Sequence, residues 1–332
     1  MSRRAAAGEV VEAGSEAAAE RSANVLGSGL VILAAVCFAT LGPLSRFAED
    51  AGVGSLTLVA WRAGLGAVVV TLFIAVGIAL GHRAAVPLRA IPARDRWFVL
   101  AAGVANAVLN LSVFTAFGRI SIALALLVFY LYPGLVALAS VVWFGERLDR
   151  LRWAALAVSL AGLVLVLAGT GELGALDPLG VGLAFFGALA QVFYVLTARH
   201  GFSHVPSPQA AALTMGGAVV LYAITALAIG QLAVLGQPLQ GFDALWPVLI
   251  AGVLGAGVPT LSYITGIRLL GAPRAAILAT LEPVIGVALA AWLLSEQPTP
   301  IQLVGGALIL AAAVLLQLRP SAGAAEHEAV GA

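Results

Sequence analysis

Two stretches of the chain share a pattern that decides the fold. Residues 131–146 read LYPGLVALASVVWFGE, and residues 281–296 read LEPVIGVALAAWLLSE. In each stretch a glutamate follows the proline after thirteen residues: Glu146 follows Pro133, and Glu296 follows Pro283. The two stretches lie 150 residues apart. This spacing indicates that the second half of the chain repeats the first.

Two further pairs of segments support the repeat. Residues 111–115 (LSVFT) and 261–265 (LSYIT) have the same offset of 150. Residues 26–30 (LGSGL) and 179–183 (LGVGL) have an offset of 153. Because the three matches are collinear, they predict two similar structural halves.

The composition excludes most other classes of protein. Of the 332 residues, 61% are hydrophobic and 10% are charged, and the mean hydropathy is +1.05. A water-soluble domain carries roughly 25% charged residues, so most of this surface must face lipid. A net charge of +1 gives no footprint for nucleic acid. The single cysteine, Cys37, excludes an intrachain disulfide.

The apolar residues fall into runs long enough to cross a bilayer, which takes a helix of about 20 residues. We predict ten spans, at 25–46, 55–80, 97–117, 121–144, 152–169, 177–198, 208–232, 244–267, 273–295 and 301–318. The runs lack the alternation of barrel strands. The expected fold is therefore an all-α polytopic membrane protein with ten transmembrane helices.

The spans divide the chain into a first five-helix repeat at 25–169 and a second at 177–318. Residues 1–24 and 319–332 are expected to be tails, the first of them disordered, and both are expected to be cytoplasmic. With this orientation, fourteen of the seventeen arginines fall on the cytoplasmic side, two fall outside and Arg62 lies within a span. Such a bias is typical of the positive-inside rule.

Five spans per half is an odd number, so the second repeat must enter the membrane from the opposite side. Inverted repeats suit alternating access, in which a site near the midplane opens to either side in turn. The sequence therefore favours a transporter in a cytoplasmic membrane.

At these residues the chain resembles the EamA type of the drug/metabolite transporter superfamily. The resemblance rests on Tyr132-Pro133 with Gly145-Glu146-Arg147-Leu148, on Leu281-Glu282-Pro283 with Ser295-Glu296, and on the run 302–310. Two features depart from the family pattern: Ser295 stands where a glycine is usual, and Tyr132 stands where the second half has Glu282. The resemblance implies secondary transport of small metabolites, in bacteria mostly export of amino acids or related compounds. It also implies a central cavity formed by spans 1–4 and 6–9, and homodimers in some members.

Two charged side chains are expected deep in the bilayer, where charge is costly and marks functional sites. Glu282 lies near the midplane of span 9, and Arg62 lies about 10 Å into span 2. Glu282 would titrate or meet a substrate ammonium group. Alternatively, it would satisfy backbone groups near Pro283 or pair permanently with Arg62. Arg62 would alternatively extend its guanidinium outward to the interface.

Neutral polar residues in the spans are the other candidates for a substrate cavity. We expect them to bind a polar metabolite or, alternatively, to form ordinary hydrogen bonds between helices. Together with Glu282 and Arg62, the candidate site comprises Asn106, Asn110, Tyr130, Tyr132, Gln191, Tyr194, Thr260 and Tyr263.

Structural roles are expected for two groups of residues. Pro43, Pro133, Pro259 and Pro283 should kink or interrupt their helices. Glu146 and Glu296 follow spans 4 and 9, and we expect a structural role such as capping the next helix.

The sequence shows no pattern of an enzyme, of a metal site or of a nucleotide-binding loop, so we expect no catalytic residues, metal or cofactor. The expected partners are a small-molecule substrate, the lipid bilayer and, as in some members of the family, a second copy of the chain in a homodimer. The leading prediction is a secondary-active exporter of small polar metabolites in the bacterial inner membrane, driven by proton or substrate exchange. The alternatives are an importer or cationic-drug exporter of the same fold, and a receptor or scaffold that transports nothing.

Overall fold

The computed structural model describes residues 2–81, 85–117, 119–120, 122–169, 177–293 and 298–317. The regular structure of these residues is helical. The helices are α1 Ser2–Ala39, α2 Leu41–Asp50, α3 Ser55–Ala79, α4 Ala93–Phe117, α5 Ile122–Phe129, α6 Tyr132–Phe144, α7 Arg150–Ala168, α8 Pro178–His200, α9 Ser207–Ala228, α10 Phe242–Gly252, α11 Val258–Leu270, α12 Ala272–Ala279, α13 Leu281–Leu293 and α14 Pro300–Gln317.

Nine helical segments of the described chain are long and apolar enough to cross a membrane. Within the last predicted span, α14 contributes a shorter apolar segment, Pro300–Leu315. The structure also differs from the disorder expected for residues 1–24, because the backbone is helical from Ser2. This segment is rich in alanine, the residue with the highest helix propensity.

Four spans are interrupted, each just before one of the predicted helix-breaking prolines. Span 1 breaks between α1 and α2 before Pro43, span 4 between α5 and α6 before Pro133, and span 9 between α12 and α13 before Pro283. In span 8, a π-helical turn at Val253–Gly257 joins α10 to α11 and precedes Pro259. Proline lacks an N–H and clashes with the preceding turn, which explains the position of the breaks.

Contacts between loops define two ends of the bundle. At the end that we call arginine-rich, the chain from Val86 to Asp95 contacts the segment from Phe202 to Gln209. At the opposite, arginine-poor end, the start of α3 contacts the 3-10 helix Leu232–Gln240, and Gly169 accepts a hydrogen bond from Thr299. The helices therefore alternate in direction along the chain.

The main helix packings have the symmetry expected of inverted repeats. Helix α4 packs on α8, and the equivalent helices of the other repeat, α11 and α1, pack on each other. The fifth spans, α7 and α14, form a pair through Gly162 and Gly305. A Cβ atom on Gly305 would lie 2.5 Å from the Gly162 carbonyl oxygen, so this approach requires glycine.

We expect Gly305→Ala to lower the stability of the protein. The added methyl group would meet backbone, which cannot move aside like a side chain, and overpacking costs about 1–3 kcal/mol. The measurement is the thermal unfolding midpoint in detergent. Gly216→Ala in α9 is the matched control, because its Cβ would meet nothing within 4 Å. Equal midpoints for the two variants would contradict the prediction.

Asp177 joins the two repeats at the arginine-poor end. Its Oδ1 accepts a hydrogen bond of 3.0 Å from the Leu179 N–H and caps α8, and its Oδ2 accepts one of 2.7 Å from Arg119 Nε. The Leu179 N–H first, and then Arg119, lower the pKa of the Asp177 carboxyl below its ordinary value of 3.8. The charged form is thus favoured in the folded protein.

We expect the stabilising effect of Asp177 to be complete above the ordinary pKa of 3.8 and to disappear as the pH falls through the lower, folded-state pKa. Asp177→Ala should lower the unfolding midpoint at pH 7, and the difference from wild type should shrink below about pH 4. Asp177→Asn, which keeps a capping oxygen, should lose less. A midpoint difference for Asp177→Ala that does not change with pH would contradict this assignment.

Candidate functional site

A cavity of about 920 Å³ lies inside the helix bundle, where helices of both repeats meet. Its volume is at the upper end of the range of ligand-binding pockets. The structure brings all ten predicted site residues to its wall: Arg62, Asn106, Asn110, Tyr130, Tyr132, Gln191, Tyr194, Thr260, Tyr263 and Glu282.

Arg62 is held by a short chain of hydrogen bonds from α4. Its Nη2 donates to Asn110 Oδ1. The Asn110 amide in turn donates to the Asn106 backbone oxygen at 2.7 Å and to Asn106 Oδ1 at 3.1 Å. The guanidinium therefore stays in the interior rather than extending outward to the interface, which was the alternative expected from the sequence. Its Nε is buried and has no hydrogen-bond partner among the described residues.

Glu282 lies in the first turn of α13, beside the phenol of Tyr130. The rings of Tyr130 and Tyr132 pack against Phe129, with centroid distances of 5.4 and 5.3 Å. Arg62 attracts Glu282 across the cavity, while the hydrogen bond of its guanidinium goes to Asn110. A permanent pair between Arg62 and Glu282 stays a prediction. Near Pro283, the Thr280 hydroxyl donates a hydrogen bond of 2.7 Å to the Ile277 carbonyl.

Buried hydroxyl groups surround the carboxylate. The Tyr263 hydroxyl lies near Tyr132 and Gln191, and Tyr194 lies one helical turn from Gln191 on α8. The hydroxyls of Tyr194 and Tyr263 are both buried without a hydrogen bond to any described group. Thr260 also lines the cavity. Unsatisfied buried polar groups are costly, so this surface is suited to a polar ligand.

The cavity extends from the middle of the bundle to the arginine-poor end. There its wall includes the exposed side chains of Arg46 and Glu49. Sequence reasoning missed these two residues as cavity residues, and it also missed Tyr222, which lies near Arg62. Arg46 and Glu49 are three residues apart on α2 and therefore lie on one face of this helix. Because span 1 was predicted to end at residue 46, the sequence analysis did not place Glu49 on the same helix face as Arg46.

At the arginine-rich end, Arg268 ties α11 to the loop between α8 and α9. Its guanidinium donates to the Phe202 carbonyl at 3.0 Å, to the Val205 carbonyl at 2.7 Å and to the Ser207 hydroxyl at 3.1 Å. It also lies over the Phe202 ring, 5.3 Å from the centroid. Phe202 and Val205 are fully buried. The described part of this end is therefore densely packed.

Two further contacts hold the same loop. Asp95 Oδ2 accepts a hydrogen bond of 3.1 Å from the His204 backbone N–H and lies 3.0 Å from His204 Nδ1. The Gln209 side chain bonds both the N–H and the carbonyl of Val86. Sequence reasoning treated Arg268 only as a marker of orientation, although an arginine in the last turn of an apolar helix is also placed to bond neighbouring carbonyls.

The predicted capping role of Glu146 is wrong. Asp149 caps α7 instead, since its Oδ1 accepts a hydrogen bond of 2.8 Å from the Arg152 N–H. Glu146 is three residues too early in the chain, and its Oε1 lies 3.3 Å from His200 Nε2. Glu296 lies outside the described residues.

The fold and the cavity define the class: an all-helical, multi-pass membrane protein with a polar chamber between two repeats. Comparison with known proteins gives the family. The sequence model of the EamA-like transporter family matches residues 25–168 and again residues 178–318. The chain therefore belongs to the EamA-like transporter family, within the drug/metabolite transporter superfamily.

Similar proteins agree with this membership. The chain is 27% identical to an uncharacterized transporter of Archaeoglobus fulgidus over 293 residues, which cover 87% of this chain and 95% of that protein. It is 24% identical to the uncharacterized transporter YxxF of Bacillus subtilis over 208 residues, or 62% and 65% of the two chains. One crystal structure shares the fold, with a TM-score of 0.72 and 23% identity over 90% of this chain and 96% of its own. The protein is a membrane transporter, and its family points to transport rather than catalysis.

We expect Arg268→Met to loosen the arginine-rich end, because it removes the hydrogen bonds that Arg268 donates to the carbonyls of the buried residues Phe202 and Val205. The reporter is Ala198→Cys in a Cys37→Ala background, since Ala198 is 1% exposed and its carbonyl accepts from Arg268 Nε. Labelling by a maleimide should become at least about tenfold faster, as expected for a loss of 1.4 kcal/mol.

The matched control is Arg94→Met. Arg94 is exposed at the same end and lies over the Phe98 ring, 5.5 Å from its centroid. It should leave the labelling rate of the reporter unchanged. Equal acceleration by both variants would show that Arg268 has no specific role in closing this end.

Proposed function

We propose that the protein is a secondary-active exporter of small polar metabolites, such as amino acids, and works by alternating access. The observation that carries the proposal is the cavity between the repeats. It is lined by Glu282, Arg62 and neutral polar groups, reaches exposed residues at one end and stops below the Arg268 contacts at the other. Such a chamber combines charged and polar side chains in the interior of the bundle with an opening at the arginine-poor end.

The orientation of the cavity fits one step of an export cycle. If the arginine-rich end is cytoplasmic, as the positive-inside rule requires, the cavity is open to the outside. The structure then corresponds to the state that releases an exported substrate. The proposal includes a bacterial cytoplasmic membrane as the location, where the family resemblance implies export of metabolites.

Glu282 supplies the coupling step in this proposal. It is the ionisable carboxylate inside the cavity, and its protonation changes the charge of the chamber by one unit. From the outside a proton replaces the substrate on Glu282, the bundle opens to the cytoplasm, and the proton leaves as a new substrate binds. On the outside Glu282 thus exchanges a substrate molecule for a proton, and on the cytoplasmic side it exchanges the proton for a substrate molecule.

The rival assignments differ in what the cavity must hold. A cationic-drug exporter of the same fold is favoured by Glu282 and the adjacent rings of Tyr130 and Tyr132. It is opposed by Arg62, a fixed positive charge on the same wall. An importer requires the opposite driving direction. A receptor or scaffold has no need of a chamber that reaches one side of the membrane.

The test uses purified protein in liposomes with an imposed pH gradient and a mixture of labelled metabolites. Glu282→Gln should lose accumulation driven by the gradient, because glutamine cannot release a proton. Counterflow, the exchange of labelled for unlabelled substrate, should persist once the substrate concentration is raised to offset the weaker binding that loss of the carboxylate causes. Asp243→Asn, which removes the charge of an exposed carboxylate outside the cavity wall, is the matched control and should accumulate substrate like wild type.

Two results would contradict the proposal in different ways. If Glu282→Gln keeps full accumulation under the gradient, Glu282 does not couple transport to protons. If wild-type protein moves no metabolite under any gradient, the proposal of transport by alternating access fails as a whole.

A further inference from the structure

Arg274 is a buried arginine at the arginine-rich end of the bundle. It lies in the first turn of α12, just after the turn at Gly271, and is 7% exposed. Its Nη1 donates a hydrogen bond of 3.3 Å to Asn24 Oδ1 on α1. Its Nε is buried and has no hydrogen-bond partner among the described residues. The neutral amide of Asn24 therefore orients the guanidinium without neutralising its charge.

Arg152 adds a second positive charge beside Arg274. Helix α12 packs against α7, where Ile277 shares a buried cluster with Ala155 and Leu156. Arg274 and Arg152 each lie about one helical turn before these contacts, toward the arginine-rich end. The packing thus brings two positive charges close together, and they repel each other. Such repulsion is strong where water is scarce, and an anion between the charges would relieve it.

The first turn of α12 is an unfavourable place for a cation. The N-terminus of a helix carries a partial positive charge, which stabilises anions there. Gly271 at the N-cap has no side chain to cap the helix, and the first turn contains no acidic residue. The helix end, Arg274 and Arg152 therefore all add positive charge to one region. A phosphate group suits this region, because its oxygens accept hydrogen bonds from arginines and from helix N-termini.

The surroundings of the two arginines indicate a phosphate carried by a lipid. Trp153, next to Arg152, is 41% exposed, and an exposed tryptophan at the end of a span is typical of the membrane interface. Val25 and Leu26, next to Asn24, are exposed apolar residues that can face acyl chains. Basic pockets between transmembrane helices bind the headgroups of anionic phospholipids. This region has the charge, the depth and the apolar border of such a pocket.

We propose that Arg274 and Arg152 bind the phosphate of an anionic phospholipid such as phosphatidylglycerol, with Asn24 orienting Arg274. None of these three residues lines the central cavity, so the site is separate from the one described above. Asn24 and Arg152 belong to the N-terminal half of the chain and Arg274 to the C-terminal half. The bound lipid therefore links the two halves at the arginine-rich end and stabilises the protein by pairing charges that otherwise repel.

The test first compares ligands on wild-type protein in a neutral detergent. The thermal unfolding midpoint is measured with added phosphatidylglycerol, with phosphatidylcholine of the same acyl chains, and with inorganic phosphate. We expect phosphatidylglycerol to bind at least about tenfold more tightly than phosphatidylcholine, whose ammonium group the two arginines repel. Inorganic phosphate at the same concentration should not change the midpoint, because it lacks the acyl chains that hold the lipid in place.

Variants then locate the lipid. Arg274→Gln should weaken the binding of phosphatidylglycerol by at least about tenfold, as expected for the loss of a charge-assisted hydrogen bond. In detergent without phospholipid its midpoint should stay at or above that of wild type, because one of two repelling charges is gone. Arg96→Gln, which removes an exposed arginine at the same end, is the matched control and should weaken binding by no more than about threefold.

Three results would overturn the lipid site. They are equal stabilisation by phosphatidylcholine or by inorganic phosphate, equal weakening by Arg274→Gln and Arg96→Gln, and a midpoint of Arg274→Gln that is lowered alike with and without lipid. If Arg274→Gln does not fold, the half-buried Arg152 decides: Arg152→Gln should weaken binding by at least about tenfold, and a loss no larger than that of Arg96→Gln contradicts the site. The inference goes beyond the proposed function, since lipid binding in detergent is independent of transport in liposomes.

Discussion

Hydrocarbon offers no hydrogen bonds, so every turn that interrupts a spanning helix must find partners within the protein. This constraint explains where the breaks lie. Tyr130, Pro43, Ala256 and Pro283, which mark the four interrupted spans, all line the cavity rather than a lipid-facing surface. At two of the breaks a threonine hydroxyl bonds a backbone carbonyl, as Thr280 does for Ile277. The cavity is therefore the place where irregular backbone is tolerated, and its polar wall follows from that.

The arrangement of the buried charges has the same origin. An ion pair between Arg62 and Glu282 would neutralise both groups and make the chamber a static core. In the structure Asn110 holds Arg62, and Tyr130 lies beside Glu282. Neutral partners orient the charges without cancelling them.

The sequence predicted more of the fold and of the cavity than of the closed end. Helical class, the repeat and the helix-breaking prolines depend on local patterns, and the ten candidate residues were found because polar side chains are rare in apolar runs. The closure by Arg268 depends on a loop, Phe202 to Val205, whose position no pattern specifies. Glu146 was misassigned for a similar reason. The repeat indicated a structural role for Glu146, but the residue that caps α7 is Asp149, three residues later in the chain.

The repeats share a pattern but differ in conformation. Spans 4 and 9 break at equivalent positions, 130 and 280, whereas span 1 breaks at Thr40 and its counterpart α8 is continuous. The chemistry of the ends differs too, since residue 118, which corresponds to Arg268 at the offset of 150, is a glycine. An arginine clamp of this kind therefore has no counterpart at that position of the first repeat. In alternating access between inverted repeats, the two open forms would be equal in energy only if the repeats were identical. If the protein works by alternating access as proposed, residues that depart from the repeat, Arg268 among them, would set which open form is preferred.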